Sequence, residues 1–199
     1  MDQNTGKITH FVHQSLDGFI EGPNGEFDWP AMGSELSEYA HSLTTSADVF
    51  LYGRLVWELM AGYWPRAEEF STDEYDLAFA RVWREAPKVV VSTTLTSADW
   101  NTRVINENAA EELAELKRGG AHLLLFGGSA LAAHLTERGL IDEYQIFVHP
   151  VVLGGGKPVF GSPQQRFGLD LVEARVFDGQ VTLLRHRPTR AAAGASYGS

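Results

Sequence analysis

Short apolar runs alternate with amphipathic stretches along most of the chain. Ile8 to His13, Asp48 to Tyr52, Lys88 to Ser92 and His122 to Phe126 read as strands. Val89-Val90-Val91 and Leu123-Leu124-Leu125-Phe126 are unbroken apolar runs, as in strands covered on both faces. Between the runs the pattern turns helical. One helix is expected from near Ser34 to Thr45, and two others start at the capping-box spacings Ser71/Glu74 and Asn108/Glu111. Gly119-Gly120 and Gly139 follow basic last turns and end helices there.

After Leu140 the character changes. Glu143 to Pro150, Leu169 to Phe177 and Val181 to His186 are strands without helices between them, and Asp178-Gly179 marks a two-residue hairpin. The pattern predicts an α/β sandwich: a mostly parallel, mixed sheet, helices on both faces, and a C-terminal antiparallel hairpin.

Length and composition narrow this. At 199 residues the chain fits one domain, expected over 1–187, with the small-residue stretch 188–199 as a loose tail. Acidic residues outnumber basic ones, 26 to 16, for a net charge of −10, which argues against nucleic acid or an anionic membrane as partner. The absence of cysteine removes disulfides, thiolate metal sites and a cysteine nucleophile. The first residues are polar, without the apolar core of a signal peptide, so a cytoplasmic protein is expected.

Candidate chemistry gathers at four glycine-containing joints. Ser15-Leu16-Asp17-Gly18-Phe19-Ile20 follows the first strand and opens a long loop through Phe27-Asp28-Trp29-Pro30, either a ligand lid or a plain turn. Tyr52-Gly53-Arg54-Leu55-Val56-Trp57-Glu58 is a strand-to-helix junction. An arginine that starts a helix opposes the macrodipole; a bound anion would explain it, and so would pairing with a nearby carboxylate. Phe126-Gly127-Gly128-Ser129-Ala130 is a third joint, where Ser129 could cap the helix and the glycines admit a pyrophosphate. The fourth, Gly154-Gly155-Gly156-Lys157, lacks Walker spacing, so an NTPase is rejected, and the third lacks the full dinucleotide fingerprint. No Gly-x-Ser-x-Gly occurs. His10 and His13 fall on opposite faces of one strand and cannot share a metal, and no metal site is expected. Glu35 and Tyr39 share a helix face at i, i+4. That face could turn toward a cleft and a planar heterocycle, or be a solvated acidic face with Tyr39 in the core.

In their order, these joints resemble the dihydrofolate reductase fold and its relative, the reductase domain of riboflavin biosynthesis (RibD C-terminal domain), from Ile8 to Arg187. Ser15-Leu16-Asp17-Gly18-x-Ile20 and the Pro150-to-Phe160 stretch are similar to the riboflavin-type domain. Gly53-Arg54-x-x-Trp57-Glu58 resembles the dihydrofolate reductase helix start. Gly127-Gly128 matches a glycine pair that the family often joins by a cis peptide. Two departures stand out: Asp28-Trp29-Pro30 replaces the usual Pro-Trp before the acid, and Val56 replaces a threonine.

The resemblance implies a three-layer sandwich and a stand-alone NADPH-dependent reductase. Its substrate would be a pterin-, folate- or pyrimidine-like heterocycle, as in the 5-amino-6-(5-phosphoribosylamino)uracil reductase of riboflavin biosynthesis. It implies that Gly53 and Arg54 hold cofactor phosphate and that Ser92 and Thr93 flank the adenosine 2′-phosphate. Gly127, Gly128, Ser129 and Ala130 would cradle the pyrophosphate, with Ile20 and His13 near the nicotinamide. Trp29, Glu35 and Tyr39 would meet substrate, with Glu35 as proton source and Asp28 and His13 in reserve. The zinc deaminase that accompanies the riboflavin-type domain is not expected in a chain without cysteine. A homodimer is compatible with the apolar late strands. Two other readings stay open: a non-catalytic NADPH-binding or ligand-sensing module, and a scaffold on which the glycines are only turns.

Overall fold

The computed structural model describes residues 6–161 and 166–189. In chain order the strands are β1 (Lys7–Ser15), β2 (Phe19–Glu21), β3 (Val49–Gly53), β4 (Lys88–Val91), β5 (Thr102–Ile105), β6 (His122–Phe126), β7 (Glu143–His149), β8 (Lys157–Pro158), β9 (Leu169–Phe177) and β10 (Val181–Pro188). The helices are α1 (Ser34–Thr45), α2 (Arg54–Tyr63), α3 (Glu74–Glu85), α4 (Ala109–Arg118) and α5 (Ser129–Glu137). Eight strands form one sheet in the order β5-β4-β3-β6-β1-β7-β10-β9, and β2 pairs with β8 in a separate ribbon. From β5 to β7 every pairing is parallel; β10 runs antiparallel to both β7 and β9. This is the expected mixed sheet with its closing hairpin, and Asp178 and Gly179 turn it at positive φ.

Strand alternation sends successive side chains to opposite faces and makes two cores. Ile8, Val12, Leu51, Leu123 and Leu125 pack against Leu113 of α4 and Leu131 and Leu135 of α5. Phe11, Phe50, Tyr52, Leu124 and Phe126 pack with Leu36 of α1, Trp57 of α2 and Trp83 of α3. The result is three layers. His10 and His13 divide between the faces as their spacing predicts: His10 packs edge-on to Tyr144, and His13 stacks on Phe147.

Several local expectations are corrected. Helix α3 is capped by Asp73, whose carboxylate accepts from the amides of Tyr75 and Asp76, while Ser71 accepts from Asp73 N. Asn108 precedes α4 in a left-handed conformation and makes no side-chain cap. Ser129 is the first residue of α5, whose cap position is Gly128. The expected tail begins late, because Pro188 belongs to β10 and Thr189 N donates to Gly168 O at 2.9 Å. The rest of that stretch, 190–199, lies outside the described residues. Among the described residues, no helix is long and apolar enough to cross a membrane.

Candidate active site

Four adjacent parallel strands, β4, β3, β6 and β1, end on the same edge of the sheet, the edge at which open α/β sheets gather ligands. Register fixes who meets whom. Gly53 lies opposite Val91, Leu51 opposite Leu125, and Phe11 opposite Phe126. The joints after β4, β3 and β6, Ser92-Thr93, Gly53-Arg54 and Gly127-Gly128, therefore form one row with His13 near the end of β1. Gly127 N donates to Phe11 O at 3.0 Å, which ties the β6 joint to β1.

The glycine pair is shaped for close approach. Gly127 and Gly128 both have left-handed φ, 47° and 70°, and a trans link joins them. A side-chain carbon added at Gly127 would meet nothing within 4 Å, so its backbone faces open space. Helices α2 and α5 start beside this row, and neither Gly53 nor Gly128 supplies a side-chain cap. Their first N–H groups are thus left for an anion. Arg54, at the head of α2, pairs with Glu58 one turn on, its Nη1 2.8 and 2.9 Å from the two carboxylate oxygens. Trp57 of the same motif donates to Thr102 Oγ1 at 3.2 Å. Ser92 is buried and its hydroxyl accepts from Thr94 N and Leu95 N, which leaves its O–H as a donor, while Thr93 is exposed.

On the α1–α3 face the row opens into a cavity of about 790 Å³, the size of a site for one or two small organic molecules. Its walls are largely apolar: Ile20 of β2, Val56 and Met60 of α2, Phe79 of α3, and Phe126 of β6. Helix α2 has no fully buried residue because it spends its apolar side on this wall. Helix α1 presents Ser37, His41 and Thr44, a row at i, i+4, i+7.

That orientation corrects the substrate-side expectation. Glu35 and Tyr39 occupy the other side of α1. Glu35 Oε2 accepts from Asp178 N at 2.7 Å. Tyr39 donates to Gln145 Oε1 at 3.0 Å and packs on Phe147 and Phe177, which is the core reading of that residue. Trp29 does not line the cavity either; it packs edge-on to His149 and donates to Glu26 O at 3.3 Å. Asp28 is exposed on the same loop, between Trp29 and the cavity-lining Phe27.

His13 does line the cavity, and its Nδ1 lies 2.8 Å from His149 Nε2. Burial holds His13 down to about 3, with the neighbouring His149 adding to the effect, and burial alone holds His149 down to about 4. Both rings are neutral at physiological pH. Sequence reasoning missed His149. It ends a recognised strand, but only the placement of β7 beside β1, with Ser15 opposite His149, brings it to His13.

The Asp17 motif has a structural task. Its carboxylate accepts from Leu153 N at 3.1 Å and Gly154 N at 2.8 Å, and Ser15 Oγ donates to it at 2.6 Å. The glycine-rich stretch is thereby clasped onto the loop that carries Ile20.

A model of the RibD C-terminal domain matches residues 6–183. The uncharacterized protein YyaP of Bacillus subtilis is 36% identical over 177 residues, 86% of this chain and 90% of the relative. Among solved structures, the diaminohydroxyphosphoribosylaminopyrimidine deaminase/5-amino-6-(5-phosphoribosylamino)uracil reductase of Thermotoga maritima superposes with a TM-score of 0.64 at 18% identity, over 92% of this chain and 57% of that one. The dihydrofolate reductase of Enterococcus faecalis, complexed with NADP(H), superposes with a TM-score of 0.61 at 12% identity, over 94% and 98%. At these identities the structural likenesses show the fold, which is the three-layer one expected.

Proposed function

Because this chain belongs to the RibD C-terminal domain family, we propose that it is an NADPH-dependent reductase acting on a C=N or C=O bond of a pterin- or pyrimidine-like heterocycle. The observation that carries this reading is the row itself. Two helix starts without side-chain caps and a glycine pair with open space beside it stand at the ends of four parallel strands, directly against an apolar cavity. Such a row fits a dinucleotide whose phosphates lie along the edge and whose reactive ring enters the cavity.

In this reading the backbone of Gly127, Gly128, Ser129 and Ala130 holds the pyrophosphate. Gly53 and Arg54 hold phosphate beside it, and Thr93, next to Ser92, borders the adenosine 2′-phosphate. NADPH supplies the hydride when bound. Ile20, Val56 and Phe126 exclude water from the reacting ring, and His13 presents a polar ring nitrogen to the substrate. Trp29 supports that wall from behind, through His149. Glu35 and Tyr39 have no part in it. The exposed apolar side chains of edge strand β9, Leu171, Val172 and Val176, support self-association into a homodimer in the cytoplasm.

The experiment is hydride transfer from C4-deuterated NADPH to a panel of pterins, dihydrofolate and ribosylaminopyrimidines, read as deuterium in the product. Label in one product class supports the reductase. NADPH binding with no label in any product supports instead a ligand-sensing module of the same fold, which the turning of Glu35 away from the cavity favours.

A further inference from the structure

The cavity wall contains a hydrogen-bonded chain whose proton positions follow from its fixed end. The amide of Ala31 donates to His149 Nδ1 at 3.2 Å. A nitrogen that accepts carries no proton, so neutral His149 bears its hydrogen on Nε2. That nitrogen lies 2.8 Å from His13 Nδ1. His13 Nδ1 therefore accepts, and the proton of His13 resides on Nε2; the ring's one hydrogen bond among the described residues is at Nδ1, and the ring lines the cavity. The opposite arrangement would put a proton on His149 Nδ1, facing the Ala31 N–H. Phe147 stacked on His13 and Trp29 edge-on to His149 hold the two rings in place.

We propose that His149 locks His13 as its Nε2–H tautomer, so that the cavity presents a standing hydrogen-bond donor and selects neutral heterocycles with a ring carbonyl oxygen there over analogues that carry an amino group at the same position. The ligand class rests on the reading of the cavity as a substrate site; the lock does not. The chain also limits what His13 can do. To release its Nε2 proton it must take one at Nδ1 from His149. His149 must then be replenished at Nδ1, where a backbone amide that cannot give up its hydrogen is already donating. His13 thus orients and polarises an acceptor without serving as the proton source, and His149 is a positioning residue.

The lock is tested on the full chain without cofactor by nitrogen NMR of the histidine rings. The expected result is Nε2–H on both His13 and His149. His149→Gln keeps a donor toward His13 Nδ1 and should keep the His13 tautomer, whereas His149→Leu should produce a mixture. Nδ1–H on His13 in the wild-type protein, or an unchanged tautomer in a folded His149→Leu, overturns the proposal.

The ligand class is tested with two probes, pterin and 2,4-diaminopteridine, which present a carbonyl oxygen and an amino group at the same ring position. Pterin should bind about tenfold tighter, the effect of one well-placed hydrogen bond. The preference should survive His149→Gln and vanish in His149→Leu. An equal or reversed preference in the wild-type protein overturns the selectivity. Failure of both probes to bind, with the tautomer intact, counts against the heterocycle reading of the cavity and leaves the lock standing.

Discussion

Glu35 and Asp178 cap each other across the fold. Glu35 Oε2 accepts from Asp178 N at 2.7 Å, and Asp178 Oδ1 accepts from Glu35 N at 3.1 Å. Asp178 Oδ2 also accepts from Leu36 N at 3.1 Å, so the β9–β10 turn supplies the N-cap of α1. Gly33 makes room for it: a side-chain carbon there would sit 2.2 Å from the Asp178 carboxylate carbon. The hairpin thus sets the roll of α1, and that roll gives the cavity Ser37, His41 and Thr44 in place of Glu35.

Removing the cap should loosen the helix while leaving the chemistry in place. Asp178→Ala is expected to lower stability by about 1–2 kcal/mol, the usual effect of losing a carboxylate cap. Glu35→Gln should leave turnover within about twofold of wild type, because the carboxylate lies outside the cavity. Urea denaturation and steady-state kinetics check the pair, and a large loss of turnover in Glu35→Gln would return that residue to the site.

The Arg54–Glu58 pair makes a sharper prediction about the cofactor. Both side chains are about two-fifths exposed, so their mutual attraction is weak and easily exchanged for phosphate. Arg54→Ala should weaken NADPH binding about tenfold and NADH binding much less. Glu58→Gln releases the guanidinium and should tighten NADPH a few-fold. Isothermal titration reads both, and equal losses for the two nucleotides in Arg54→Ala would remove the arginine from the phosphate site.

Acid should unfold this protein early. Burial lowers His10 to about 4, His13 to about 3 and His149 to about 4, from an ordinary value of 6.5. Between those values the unfolded chain binds protons that the folded chain refuses, so stability is full above about pH 6.5 and falls as the pH drops through the window. Each histidine adds about 1.4 kcal/mol per pH unit to the slope there. His10 is fully buried, and among the described residues its ring has only the backbone of Gly127 near enough to oppose the effect of burial, without a hydrogen bond of good geometry. His10→Leu should therefore flatten the curve and stabilise the fold at low pH. Denaturation midpoints from neutral pH down to about pH 4.5 test this, and a flat profile would contradict it.

The clasp between loops rests on a glycine. Gly156 has φ 128°, and a side-chain carbon there would lie 2.0 Å from Glu21 O. Gly156→Ala must push β2 aside and with it Ile20 on the cavity wall. It should cost at least about 1 kcal/mol and weaken NADPH binding; a variant with unchanged stability and affinity would separate the loop from the cavity.

Seven strands of the main sheet were legible in the sequence because each is an apolar run bounded by turn residues. Strand β5 was not. Thr102–Ile105 has apolar residues only in its second half, and as the sheet's edge it buries little more than Ile105. Strands β2 and β8 have three and two residues, too few for any alternation to register. At the site, the glycine joints were visible because φ and helix-start chemistry are local. The roll of α1 and the His13–His149 contact were not. Both depend on partners more than 100 positions away, and the i, i+4 spacing of Glu35 and Tyr39 fits either face of the helix.

The most direct test of the cofactor row is a titration of the full chain with NADPH and with NADH, read by quenching of its five tryptophans. Saturable binding of NADPH, about tenfold or more tighter than NADH and reduced by Arg54→Ala, is the result predicted. Absence of saturable binding by either nucleotide would contradict the assignment of the Gly53-Arg54 and Gly127-Gly128 joints, and with it the reductase.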